Sequence, residues 1–148
     1  MEKRCIDHAP PSMIINEISK LFNDRMRQKT EAMGMSEGSR RVLFHLAHND
    51  ALTQLELARR THLSAPAISV LLQKMEGDGL VSRAADPNDQ RAILVRLTEA
   101  GHTADRKVVA SIHETENELL QGIASAEVEA IRPILKRMYE NLAKEALE

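Results

Sequence analysis

Apolar positions recur at helical spacing along most of the chain and abandon it in one place. Ile14, Ile18, Leu21, Phe22 and Met26, with Lys20, Asp24 and Arg27 between them, predict a first helix opened by Ser12 behind Pro10-Pro11. Gly34 closes it in a left-handed cap. Ser36 opens a second helix, striped by Val42, Leu43, Leu46 and Ala47 and stopping near Asn49-Asp50. Thr53-Gln54-Leu55-Glu56 has the form of a capping box: the hydroxyl accepts from an orphan amide of the first turn, and the glutamate three residues on reaches back. The third helix so started is short, ending at about Thr61 with Leu57 and Ala58 inward. Ser64 caps a fourth, with Pro66 in the first turn, where a missing N–H costs little. Ile68, Leu71, Leu72 and Met75 form its stripe, and Gly77 or Gly79 ends it.

After Gly79 the period shortens. Leu80-Val81-Ser82-Arg83 is β-compatible, Asp86-Pro87-Asn88-Asp89 is dense in turn formers, and Ala92 to Leu97 reads as a returning strand, which together predict a hairpin. Thr98 caps a long helix over 99–123, on the order of 37 Å, carrying Val108, Val109, Ile112, Leu119, Leu120 and Ile123. Ser125 caps a last helix, with Glu127 and Glu129 at its positive end. Pro133 lies deep enough inside that helix to predict a kink or a late start. The expected architecture is mainly α with a small β-wing.

Composition narrows the function. A chain of 148 residues with 43% hydrophobic and 28% charged residues builds one core with helical extensions. Phe22, Phe44 and Tyr139 are its only aromatics and it has no tryptophan, which excludes base-stacking platforms and aromatic cages. Its one cysteine, Cys5, rules out an intramolecular disulfide and fits a reducing compartment. Behind Lys3 and Arg4 the unbroken apolar run is only Met13-Ile14-Ile15, far short of a signal-peptide core or a membrane span, so a cytoplasmic protein is expected. The net charge of −2 speaks against a nucleic-acid partner until it is divided. Residues 1–50 hold 8 Lys and Arg against 7 Asp and Glu, residues 51–98 hold 6 against 5, and residues 99–148 hold 6 against 10. The acidity sits in the last third and leaves the middle free for another task.

In that middle, two short helices over 53–61 and 64–78, joined by three residues, form a helix-turn-helix, and the hairpin that follows makes it winged. The second helix of such a pair is the usual reader of a DNA groove. Arg91 stands near the tip, where a guanidinium can enter a narrow, electronegative minor groove, and Asp89 two residues away is placed to hold that guanidinium in one orientation.

With Leu63-Ser64 before the fourth helix, Gly79-Leu80-Val81 after it, and Asp86-Pro87-Asn88-Asp89-Gln90-Arg91 leading to Leu97-Thr98, the chain resembles the multiple-antibiotic-resistance regulator (MarR) family of winged-helix repressors over roughly residues 12–146. The resemblance implies a homodimer held by helices over 12–34 and 99–148, with a DNA-binding lobe over 36–98, helix-turn-helix about 53–78 and wing about 80–97. It further implies a pseudo-palindromic operator, one recognition helix per major groove, and a small-molecule effector bound between the lobes. Many relatives carry two consecutive wing arginines; here the first is Gln90. Recognition-helix positions often polar or basic in relatives are Ala65, Ala67 and Val70 here, leaving Ser64, Ser69, Gln73 and Lys74 as the polar readers around Pro66. Serine and glutamine hydrogen-bond base edges, alanine and valine touch thymine methyls, and Lys74 is placed for a phosphate. Arg59, Arg60 and Arg83 read equally as phosphate contacts and as solvated surface charge.

Three other readings compete. A winged helix can also serve as a protein-interaction adaptor that leaves DNA untouched. An enzyme lacks support, with no nucleophile–base pair, no phosphate-cradling glycine loop and no paired carboxylates. His45 and His48, one turn apart, with His102, His113 or Glu114 could form a metal site, but no ligand-spacing motif accompanies them, and surface or capping histidines are the simpler reading. Cys5 has no partner cysteine and reads as an ordinary thiol, so no cofactor is expected. Met26, Met33, Met35 and Met75 suit an adaptable ligand pocket and core filling equally.

Overall fold

The computed structural model describes residues 6–143; Cys5 lies outside them. Within residues 11–143 the α-helices are, in order, α1 (Pro11–Thr30), α2 (Glu37–Ala47), α3 (Gln54–Thr61), α4 (Ala65–Gly77), α5 (Glu99–Leu119) and α6 (Ser125–Ala143). A three-stranded antiparallel sheet, ordered β1-β3-β2, is made by β1 (Leu52–Thr53), β2 (Val81–Ala85) and β3 (Ile93–Leu97). Two compact units are distinguished, one ending at Thr115 and one beginning at Glu116.

Local side-chain chemistry sets most boundaries. Ser36 accepts from the amide of Ser39 at 3.1 Å. Thr53 and Glu56 complete the expected capping box, with Glu56 Oε2 accepting from the Thr53 amide at 2.7 Å and Thr53 Oγ1 accepting from the Glu56 amide at 3.2 Å. The Thr53 amide, and the Thr53 hydroxyl donating to the same Oε2 at 2.9 Å, hold the Glu56 carboxyl below its ordinary value, with Arg60 and Arg59 adding to the effect. Ser64 accepts from Ala67, and Pro66 lies in the first turn. Gly34 takes the left-handed conformation after a 3₁₀ turn, Glu31–Met33, that extends the first helix.

Three boundaries differ from the sequence pattern. Helix α1 starts at Pro11 with Pro10 as its cap and no side-chain bond, so Ser12 is already helical: a proline at the first helical position has φ pre-set and needs no donor. Helix α5 stops at Leu119, about 31 Å long rather than running to 123, because Gly122 turns left-handed at φ 80°. Helix α6 starts at Ser125 and continues through Pro133, so there is no late start. The capping position falls on Ala124, whose amide donates to Glu127 at 2.9 Å, and not on Ser125.

The core lies in the first unit. Val42, Leu43, Leu46, Leu57, Ile68, Leu72, Met75, Val81 and Val95 are buried, drawn from α2, α3, α4 and the sheet. Each fully buried aliphatic of this kind stabilises the fold by about 1.5–3 kcal/mol. Beneath α1, the buried Arg40 donates to Thr30 Oγ1 at 3.1 Å, and burial lowers its pKa. The stripe of α1 behaves differently: Met26 is buried, Ile14 and Phe22 are half-buried, and Ile18 and Leu21 stay exposed. Helix α6 buries no residue, leaving Ile131, Ile134, Leu135, Tyr139 and Leu142 exposed. Among the described residues no helix is long and apolar enough to cross a membrane.

Candidate nucleic-acid interface

Helix α4 is fixed on one face and open on the other. Ile68, Leu72 and Met75 are buried, while Ala65, Pro66, Ala67, Val70, Gln73 and Lys74 are exposed and Ser69 is half-buried. The helix is aimed by its two ends. At the N-terminus, α3 ends at His62, which takes the left-handed conformation at φ 56°, and Ser64 then caps α4. The tight three-residue connection depends on that left-handed histidine, which no pattern in the sequence marked.

At the C-terminus of α4 the chain is bolted to α5. The Leu80 amide donates to Met75 O at 2.9 Å, the Thr98 amide donates to Leu80 O at 3.1 Å, and the Thr98 hydroxyl donates to Gly79 O at 2.6 Å while accepting from Gly101 at 3.0 Å. Gly101 is buried there, and a Cβ on it would stand 2.1 Å from Leu80 O. This joint explains why Gly79-Leu80 and Leu97-Thr98 belong to one recognisable string.

The wing is β2 and β3, paired from Val81↔Leu97 to Ala85↔Ile93, with β1 added through Leu52↔Val95 and Thr53↔Leu94. Arg83 on β2 donates from Nε and Nη2 to the two carboxylate oxygens of Glu76 on α4, at 3.3 and 3.2 Å, tying wing to recognition helix. That hydrogen-bonded guanidinium holds the Glu76 carboxyl below its ordinary value. Arg83 is therefore an internal tie, neither a loose surface charge nor an unpaired phosphate ligand.

The tip closes on itself. Asp86 Oδ1 accepts from the Asn88 amide at 2.8 Å, Asp89 O accepts from Ala92 at 2.9 Å, and Asp89 Oδ1 accepts from the Arg91 amide at 3.0 Å. The last bond corrects the expected role of Asp89. Its carboxylate fixes the Arg91 backbone and leaves the guanidinium unheld, because a carboxylate two residues ahead closes a local turn on the amide more readily than it reaches a long side chain. Arg91 is exposed and makes no ion pair among the described residues. Lys74 is paired with Asp78 at 2.8 Å, an exposed i,i+4 contact weak enough to yield to a phosphate.

The remaining candidates separate. Met26, Met35 and Met75 are buried in the core and Met33 is half-buried against it, while Met33 and Met35 also line an open groove of about 730 Å³ with Leu80, Ala100, Ala104 and Lys107. His45 and His48 pack their rings on Phe44, and His48 Nδ1 shares a 2.7 Å hydrogen bond with Phe44 O. Burial pushes the His45 pKa down.

A helix-turn-helix whose second helix turns an uncommitted face outward, braced by a hairpin with an open arginine at its tip, defines a winged-helix regulator. A profile of the MarR family matches residues 33–92. Over 141 residues the chain is 30% identical to the uncharacterized HTH-type transcriptional regulator YdgJ of Bacillus subtilis, spanning 93% of this chain and 82% of that protein. A MarR-family transcriptional regulator from Silicibacter pomeroyi has a similar crystal structure, at 29% identity and a TM-score of 0.71 over 86% of each chain. A mutant MarR from E. coli, crystallised with operator DNA, shares the fold at 20% identity and a TM-score of 0.75, over 93% of this chain and 99% of that one. The chain belongs to the MarR family of winged helix-turn-helix transcriptional regulators, a family without enzymatic activity.

Proposed function

We propose that the chain acts in the cytoplasm as a homodimeric repressor that binds a pseudo-palindromic operator and releases it on binding a small molecule. Residues 36–98 form the reading lobe. Ser64, Ala65, Pro66, Ala67, Ser69, Val70, Gln73 and Lys74 face the major groove, and Arg91, its backbone set by Asp89, enters the adjacent minor groove. The observation that carries this reading is the Arg83–Glu76 tie, which joins helix α4 to the Arg91 wing while Val70, Gln73 and Arg91 stay exposed. The crystallisation of a fold relative with operator DNA supports it.

Residues 12–34 and 99–148 supply the dimer interface. Its support is the apolar surface a single chain leaves open, including Leu21 at 60%, Tyr139 at 73% and Leu142 at 81% exposure. The effector occupies the groove lined by Met33, Met35, Leu80 and Lys107, where it presses on the joint between α4 and α5.

A band-shift titration on the DNA flanking the chain's own gene, with stoichiometry measured, tests this. Retardation of one fragment by two chains per site is expected. Absence of any specific complex overturns the regulator reading in favour of an adaptor.

A further inference from the structure

The outward line of α4 is apolar where it would meet base edges. At 100° per residue, Pro66, Val70 and Gln73 lie opposite the buried Ile68, Leu72 and Met75. Val70 is 68% exposed, with Ala67 exposed on its flank and Ala65 exposed in the first turn. No arginine lies anywhere on the helix, and its one lysine, Lys74, is engaged with Asp78 near the C-terminal end. Resting on the proposed DNA-binding function, we infer that α4 reads thymine C5-methyl groups through Val70, so that the operator half-site is built on A·T pairs and affinity depends on those methyls.

Base chemistry carries the assignment. Guanine is most often read by a bidentate arginine or a lysine; this helix has no arginine, and its one lysine, Lys74, near the C-terminal end, is the residue assigned to a phosphate. Glutamine matches the adenine N6 and N7 edge, and a branched apolar side chain matches the thymine methyl, the one apolar group on the major-groove face of a base pair. Val70 and Gln73 are three residues apart, about 4.5 Å along the axis, and so address neighbouring pairs. A protein partner fits this line poorly. One valine, one proline and two alanines among serines and a glutamine fall far short of the roughly 800 Å² per side that a stable protein interface buries.

Selection of duplexes from a random pool with the full chain, followed by replacement of half-site thymines by uracil, tests the inference. Uracil keeps the pairing and removes only the methyl. Each methyl lost is expected to weaken binding about fourfold, the contribution of one buried methylene-sized group. Val70→Ala, which alters both protomers of the dimer, is expected to weaken the thymine duplex about sixteenfold, as the loss of one methyl in each half-site does, and to leave the uracil duplex unchanged. A selected duplex that binds equally well with uracil, or a Val70→Ala chain that loses the same factor on both duplexes, overturns methyl readout and leaves the regulator reading standing. A pool that yields no enriched duplex overturns the regulator reading and this inference with it.

Discussion

At the wing tip Asp89 bonds the backbone of Arg91 and not its guanidinium. Spacing marked both, but the carboxylate takes the Arg91 amide and leaves the guanidinium to the solvent. Its freedom is what a minor-groove contact needs, since no internal ion pair must break first. Arg91→Ala is expected to weaken operator binding at least about tenfold in a dimer using two such arginines, with the dimer mass unchanged by sedimentation. Unaltered affinity would remove the wing from the interface. Asp105 on α5 offers a test on stability. Burial raises its carboxyl above the ordinary value, opposed by the charges of His48, which caps the C-terminus of α2, and of His102 and Arg106 on its own helix. The folded chain thus binds this proton more tightly than the unfolded one, so stability falls as pH rises from the ordinary carboxyl range through the raised value. Asp105→Asn is expected to raise Tm at pH 7, with the gain vanishing in acid, where the carboxyl is protonated in both states. A Tm gain that persists below the carboxyl range would place its cause elsewhere.

Elements were legible where their signals are local. The Thr53–Glu56 box, the Ser36 and Ser64 caps and the turn at Asp86-Pro87-Asn88 each span four residues or fewer, and a sequence displays such bonds directly. What escaped was non-local. Strand β1 is two residues long and exists only because β3 lies beside it. The Arg83–Glu76 tie spans the α4–β2 turn, and Gly101 reads as a helix-weakening residue until Leu80 O is found against it. Gly101→Ala is therefore expected to destabilise the chain by about 3 kcal/mol or more. Its methyl would meet a backbone oxygen that also accepts the Thr98 amide and cannot step aside. Urea denaturation measures this, and a shift of only a few tenths of a kcal/mol would mean the α4–α5 joint is slack and cannot transmit an effector's push.

At the scale of the whole molecule, net charge misleads and charge placement decides. The chain totals −2, and its acidic excess lies beyond residue 98, outside the reading lobe. Within residues 51–98 the six cations are not equivalent. Arg83 is tied to Glu76, Lys74 is paired with Asp78, and Arg96, without an ion pair, donates to Asp50 O at 3.4 Å, leaving Arg59, Arg60 and Arg91 exposed with neither an ion pair nor a side-chain hydrogen bond among the described residues. Three cations per protomer displace about six counterions from a duplex bound by a dimer, so log K should fall against log salt with a slope of about −5. Recruitment of Lys74 away from Asp78 in both protomers would steepen the slope to about −7, and Lys74→Ala would then return it to about −5. A slope near zero would mean that the duplex is held without phosphate neutralisation, which a helix bearing one valine, one glutamine and a few small side chains cannot sustain. The charge that matters for this regulator is thus the handful left unpaired on one face, and titrating salt counts it.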